Sequence, residues 1–292
     1  MTDRRLFVVL NPAAGKGAAR RAEAPLRAAL AGTEHRVVHS RARGHAAELA
    51  EEAARGGWTA VVAVGGDGTV HECANGVLRA GAGTALGVVP VGNGNDFALL
   101  AEIPRGPASF ARLLAAAPRT VDAGRVAGRW FTNGVGVGLD ARVAIEADRT
   151  RRLRGIAMYL WALGRTLRTF RPPHMRIEVD GELWADRPMT LATIGNGARH
   201  GGGFWICPGA RIDDGVLDVC ACDALGTLRI LRTLPLTLRG GHTGESCVRM
   251  GTARRVRITS PDPLPVHADG EIVAEAAHEV EVQIVPGALR IL

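Results

Sequence analysis

Between Arg5 and Pro90 the apolar positions fall into short unbroken runs, and in the stretches between the runs they recur every three or four residues. A run such as "RLFVVL" suits a strand covered on both faces, whereas spaced alanines and leucines mark one face of a helix. On this pattern "RLFVVLNP", "EHRVVHS", "TAVVAVGG" and "ALGVVPVG" predict strands, and residues 17–32, 44–57 and 71–81 predict helices. Gly32, Gly57 and Gly81 stand where those helices should stop. Strand and helix alternating at this spacing give an α/β domain with a doubly wound parallel sheet, assigned to residues 1–122.

From residue 123 the period changes. "VDAGRVAGRWFTNGVGVGLD", "HMRIEVDGELWAD", "MTLATIGNG", "GVLDVCACD", "ARRVRITS" and "HEVEVQIVPGALRIL" are runs punctuated by turn residues, as paired strands require. Asp180-Gly181 suits a tight hairpin turn. Residues 123–292 are therefore expected to form a second, mostly β domain, a sandwich or barrel, with a helical interruption at about 142–169 and another near 226–240. No internal repeat or low-complexity segment interrupts the pattern.

Composition narrows the class. With 47% hydrophobic and 22% charged residues over 292 positions, the chain has the balance of a folded protein. A net charge of +7 favours a polyanionic partner, a phosphate ligand or an anionic membrane surface. Only 4% of residues are aromatic and none interleave with a basic run, so nucleic acid is not expected as a partner. The first apolar run is too short for a signal peptide and no window approaches a membrane span, which points to a cytoplasmic protein. The five cysteines, Cys73, Cys207, Cys220, Cys222 and Cys247, make no C-x-x-C pair and are expected to be buried and reduced.

Three glycine-bearing turns follow parallel strands: "NPAAGKG" after the first, Gly65–Thr69 ("GGDGT") after the third and Gly92–Asp96 ("GNGND") after the fourth. That edge of an open α/β sheet is where ligands bind, and glycine turns leading into helices let backbone N–H groups close on phosphate oxygens. None is a P-loop or a G-x-G-x-x-G fingerprint, so the phosphate site is of another kind. The first turn also carries Lys16, the only lysine among 36 basic side chains. It is either a compact ammonium serving a phosphate or a solvated loop residue.

The same blocks, with "VVAVGGDGTVHECANGV", "LGVVPVGNGNDFA", "NGARHGGGFWICPGARIDDGVLDV" and "HADGE", resemble in order and spacing the catalytic domain of the diacylglycerol and sphingosine kinases, particularly the bacterial soluble lipid kinases. The resemblance implies an NAD kinase/diacylglycerol kinase-like α/β domain, a β-sandwich domain and an active site in the cleft between them. It implies ATP and Mg²⁺ as cofactors, and places Asn11, Pro12, Lys16, Ser40, Gly65, Gly66, Asp67, Gly68, Thr69, Gly92 and Asn93 on the nucleotide. Asn93 stands where the commoner pattern has threonine, and Ser40 where it often has threonine. Asp67, Asp96 and Asp122 become candidates beside the metal and phosphates, against the plainer readings of a turn aspartate for Asp67 and an interdomain structural residue for Asp122. Glu271 matches the general base, which would accept the proton of a lipid hydroxyl. "RIDDGVLDV" resembles a structural Mg²⁺ loop with ligands from Asp213, Val216 and Asp218, or is simply an Asp-Gly turn.

A helix laid on 151–168 sets Leu153, Ile156, Leu160, Leu163 and Leu167 on a core stripe. Arg151, Arg154, Met158, Trp161, Arg165 and Arg168 fall on a second face, which either lies on anionic lipid or packs under the neighbouring domain. Leucine-rich 227–242 is a second candidate for membrane contact. The expected activity is transfer of the γ-phosphoryl group of ATP to a lipid hydroxyl, most simply that of diacylglycerol, by a protein that meets the membrane peripherally. A sphingoid base, phosphatidylglycerol or NAD as acceptor, and a regulatory binder without catalysis, are the alternatives. The oligomeric state, a homodimer included, stays open.

Overall fold

The computed structural model describes residues 4–149 and 156–292. In chain order it forms β1 (Arg5–Leu10), α1 (Ala18–Ala29), β2 (Glu34–His39), α2 (His45–Arg55), β3 (Ala60–Gly65), α3 (Asp67–Ala80), β4 (Ala85–Pro90), α4 (Asp96–Leu100) and α5 (Pro107–Ala115). There follow β5 (Arg119–Val126), β6 (Arg129–Phe131), β7 (Gly134–Gly138), α6 (Leu139–Asp148), α7 (Ile156–Leu167), β8 (His174–Val179) and β9 (Glu182–Gly195). The chain closes with β10 (Leu217–Asp223), α8 (Thr227–Thr233), β11 (Val248–Ala253), β12 (Arg255–Ala268) and β13 (Glu271–Ile291).

The first half is the doubly wound sheet expected, with β2, β1, β3 and β4 parallel neighbours in that order. Its unbroken apolar runs are explained by burial on both faces. Along β1, Leu6, Val8 and Leu10 pack with Leu26 of α1, Leu30 just past its end and Phe110 of α5. Phe7 and Val9 face the other way, onto Ala50 and Ala53 of α2 and Val77 of α3.

In the second half β11, β10, β9, β7, β12 and β13 follow one another in antiparallel pairs. Alternate residues such as Val135, Val137, Ile194, Val219 and Val266 build its core. The turns Asp180-Gly181 and Asp269-Gly270 both put two successive residues at positive φ (51° and 90°, 51° and 84°), the geometry a two-residue hairpin demands. β13 crosses the expected boundary at 122/123. Its last residue pairs with β4 (Ile291 opposite Leu86), and Leu289 and Ile291 join the core of the first half.

Several expectations need correction. Around 142–169 the described residues form α6 and α7, and near 226–240 only α8 is α-helical, followed by two short 3-10 turns. The "ELWAD" that follows the Asp180-Gly181 turn and "MTLATIG" form one long strand, β9, and β11 was not anticipated. Among the described side chains of α7 the buried positions are Ala162, Leu163 and Thr166, while Leu160 is 57% and Trp161 41% exposed. Leu160 therefore leaves the core stripe, and the Trp161 ring is partly open to solvent beneath the Arg165 guanidinium (5.4 Å). Arg151, Leu153 and Arg154, and the side chains of Ile156 and Met158, lie outside the described residues. All five cysteines are buried and free.

Candidate active site

The three glycine turns meet at the carboxyl ends of the parallel strands. A Cβ on Gly92 would lie 2.4 Å from the Cα of Gly66, so the second and third turns touch backbone to backbone, a contact open only to glycine. A Cβ on Gly15 would strike the carbonyl oxygen of Val91, which seats the first turn against the end of β4 in the same way. Asn11 ties the first turn to the second: its Nδ2 donates to Thr69 Oγ1 (3.1 Å) while its Oδ1 accepts from Ala13 N (3.1 Å). Asn95 clamps Gly92 from both sides, accepting from its N–H (3.0 Å) and donating to its carbonyl (2.7 Å).

The result is a cleft of about 470 Å³ whose wall includes Asn11, Pro12, Ser40, Gly66, Gly68, Thr69, Gly92 and, from the second half, Glu271. Gly66 caps α3 and has no side chain with which to occupy the first N–H groups of that helix. Free N–H groups and the helix dipole make this a seat for phosphate.

Each of the three aspartates accepts backbone N–H groups. Asp67 Oδ2 accepts from Asn95 N (2.7 Å) and Oδ1 from Phe97 N (3.4 Å), so it fixes the third turn and the start of α4. Asp96 accepts from Gly202 N (2.7 Å), and its other oxygen lies 3.6 Å from Arg199 Nε. Burial, with the charge of Asp67, pushes the Asp96 carboxyl up despite that N–H and arginine. Both oxygens of Asp122 accept backbone N–H groups at 2.7 Å, from Gly215 and Gly287. That is the structural reading of Asp122.

Lys16 and Asn93 are exposed and lie outside the cleft wall, and Gly65 sits behind it under Thr69. In the second loop, Asp213 faces Arg211 (3.3 Å) and Arg119 (3.9 Å). Burial and the charge of Asp214 push Asp218 up to about 6. Among the described residues no three His, Cys, Asp or Glu side chains converge as a metal cluster.

Glu271 opens β13 immediately after the Asp269-Gly270 turn. Its Oε2 accepts from Arg43 Nε (2.7 Å), and Arg43 also reaches Asp148 (3.2 Å). Burial alone would lower the Arg43 pKa, but the carboxylate of Glu271 raises it. The second oxygen, Oε1, looks toward Gly68 at the start of α3. Beneath the turn, buried Asp269 accepts from the N–H groups of Thr132 (2.8 Å), Asn133 (2.9 Å) and Gly134 (2.9 Å) and pairs with His71 Nδ1 (2.9 Å). Burial would raise the Asp269 carboxyl, but His71 and those N–H groups hold it below its ordinary value.

Sequence reasoning missed Arg43, His71, Glu72 and Asn95. Glu72 accepts from Gly44 N (2.9 Å) and Ala46 N (3.1 Å), capping α2 beside the cleft. Only Asn95 carried a visible signal, as the asparagine of the third glycine turn.

A parallel sheet whose glycine turns face an antiparallel second half across a phosphate-seating cleft defines a kinase of the diacylglycerol kinase and NAD kinase-like fold. Residues 5–126 match the diacylglycerol kinase catalytic domain, and residues 133–292 the YegS C-terminal NAD kinase beta sandwich-like domain. The chain belongs to the diacylglycerol kinase catalytic-domain family, and it is an enzyme, a kinase.

It is 34% identical to a probable lipid kinase YegS-like protein of Pseudomonas aeruginosa over 99% of this chain and 94% of that one. It is 32% identical to a diacylglycerol kinase of Mycobacterium tuberculosis, with the same coverage of 99% and 94%. Among solved structures, a diacylglycerol kinase from Bacillus anthracis aligns with a TM-score of 0.73 at 21% identity, covering 100% of this chain and 97% of that one. An NAD kinase from Archaeoglobus fulgidus in complex with ATP aligns at 0.55 and 12% identity, covering 98% and 92%. These two likenesses carry the fold.

Proposed function

We propose that this kinase transfers the γ-phosphoryl group of ATP to the hydroxyl of a lipid, diacylglycerol giving phosphatidic acid. The observation that carries the reading is the carboxylate of Glu271 in the wall of the glycine-lined cleft, with Oε2 held by Arg43 and Oε1 directed to the helix N-terminus at Gly68. The free N–H groups of α3 and the backbone of Gly66, Gly68 and Gly92 fit the phosphates of ATP, and Asn11 and Thr69 brace them. Mg²⁺ would enter with ATP and neutralise its phosphates. Asp67, between Gly66 and Gly68 of the cleft wall, would hold it, and each of its oxygens, though accepting one N–H, keeps a lone pair for that.

As the acceptor oxygen bonds to phosphorus, its proton passes to Glu271 Oε1, and the bond from phosphorus to the departing ADP oxygen breaks. The fixed pair with Arg43 orients the base, and the helix N-terminus offsets phosphate charge.

The acceptor lies in a membrane, and one surface suits that encounter. Of eight large apolar side chains exposed among the described residues, six lie on α7 and the 228–238 segment: Leu160, Trp161, Leu228, Leu231, Leu236 and Leu238. The two segments share a core through Ala162, Leu163 and Ile230. Arg229, Arg232 and Arg239 alternate with the leucines and have no carboxylate partner among the described residues, a complement to anionic lipid. No helix among the described residues is long and apolar enough to cross a membrane, so the contact proposed is peripheral.

The test supplies labelled ATP and Mg²⁺ with mixed micelles of diacylglycerol, sphingosine or phosphatidylglycerol and, separately, with NAD. Labelled phosphatidic acid is the expected product. Label on NAD alone would leave the kinase and remove the lipid.

A further inference from the structure

At the opposite pole of the α/β half, where β1, β3 and β4 begin, lies a second cavity of about 660 Å³, larger than the catalytic cleft. Its wall carries Arg4, Arg55, Arg290 and Trp58, and among the described residues no Asp or Glu side chain lines it. Arg4 donates through both terminal nitrogens to the carbonyls of Leu113 and Ala116. Arg290 donates to the Gly83 carbonyl (3.0 Å). Neutral carbonyls orient a guanidinium without cancelling its charge, so both cations are fixed and have no carboxylate partner among the described residues. Arg55 has a carboxylate, Glu51 at 2.6 Å, but Glu51 also serves Arg79 (2.9 Å).

The acceptors that could compete for these donors are already engaged. The last carbonyls of α2, those of Glu52, Ala53 and Ala54, take N–H groups from Gly56, Trp58 and Gly57. The Leu292 oxygen accepts from Arg112 (3.0 Å). The cavity is thus a positive, preorganised space with donors to spare, walled on one side by an indole and of a size that holds a small ligand.

We infer that this cavity binds a small polyvalent phosphate-bearing anion at a site separate from the catalytic cleft. β1 and β3 each run six residues from one pole to the other. That separates the two sites by roughly 20 Å. The inference does not rest on the identity of the lipid acceptor.

The probe is inorganic pyrophosphate, titrated by calorimetry and by tryptophan emission with a non-hydrolysable ATP analogue filling the cleft. One saturable site is expected, with its emission change lost and its heat kept in Trp58→Phe. The Arg55→Ala/Arg290→Ala double variant is expected to weaken it at least tenfold while phosphoryl transfer without pyrophosphate stays unchanged. Ala82→Glu, which adds a carboxylate to the wall without removing a bond, is expected to do the same at an unchanged melting temperature. Binding abolished by the ATP analogue, or equal affinity in both variants, would overturn the inference.

Discussion

Glu271 and Asp269, two residues apart, do opposite things with a carboxylate. Asp269 is buried and saturated by three backbone N–H groups and His71, so it anchors the hairpin; Glu271 keeps one oxygen free at the cleft. Glu271→Gln is expected to lower the rate of phosphoryl transfer by about 10²–10⁴ with the melting temperature unchanged, because it removes the proton acceptor and keeps the shape. A near-wild-type rate in a labelled-phosphate assay would take the base away from Glu271.

The His71–Asp269 pair also sets a pH dependence. Burial would lower the His71 pKa from 6.5, but the hydrogen bond and charge of Asp269, with the charges of Glu271 and Glu72, raise it. Stability from a raised histidine is complete below 6.5 and is lost as the pH climbs through the raised value. Asp269, held below 3.8, contributes stability above that value and loses it as the pH falls through its lowered one. Between those limits the pair is intact. Melting curves should therefore show wild type losing more stability than His71→Asn as the pH climbs above 6.5. Parallel curves for the two proteins would mean that His71 is neutral throughout.

At the scale of elements, what the sequence disclosed and what it hid divide along a physical line. Period and turn chemistry are local, so β1 to β4, their helices, and the hairpins at Asp180-Gly181 and Asp269-Gly270 are readable from neighbours in the chain. The glycine turns were readable for the same reason. Arg43 was not, because nothing local separates it from the other arginines of a chain whose only lysine is Lys16; its role comes from Glu271, 228 residues away. Lys16 drew attention by rarity, yet it stands at φ 52° between two glycines at positive φ and lies outside the cleft wall.

α7 misled in a different way. A leucine every third or fourth residue reads as a core stripe, but Leu160 is 57% exposed, and Leu228, in the segment the sequence offered for membrane contact, is 84% exposed. An apolar face without a cover is what a membrane-docking element would show. Leu228→Glu/Leu231→Glu is expected to reduce sedimentation with anionic vesicles and phosphorylation of long-chain lipid in them at least tenfold. Activity on a short-chain, water-soluble diacylglycerol should remain. Equal loss on both substrates would assign the leucines to the acyl pocket or to folding.

Across the whole molecule, the two halves are stitched where the chain leaves the first and where it ends. Asp122, 4% exposed, binds Gly215 N and Gly287 N, and its carbonyl accepts Asn196 Nδ2 (3.1 Å). Three segments distant in sequence thus converge on one residue at the head of the second half. Beyond Gly287 the chain re-enters the first core through Leu289 and Ile291. Placing Glu271 opposite Gly68 depends on this stitching, since Glu271 begins the strand whose far end is built into the other half.

A structural Asp122 and a metal-binding Asp122 then give different results. Asp122→Asn turns one acceptor into a donor facing a backbone N–H, at a cost of about 1–3 kcal/mol for the unsatisfied group. Its melting temperature should fall, while the Mg²⁺ concentration for half-maximal transfer, measured well below that temperature, should match wild type. A raised Mg²⁺ requirement at unchanged stability would return Asp122 to the metal. In that case the bonds to Gly215 and Gly287 would have to open when ATP binds, and the stitch would be a moving part of catalysis.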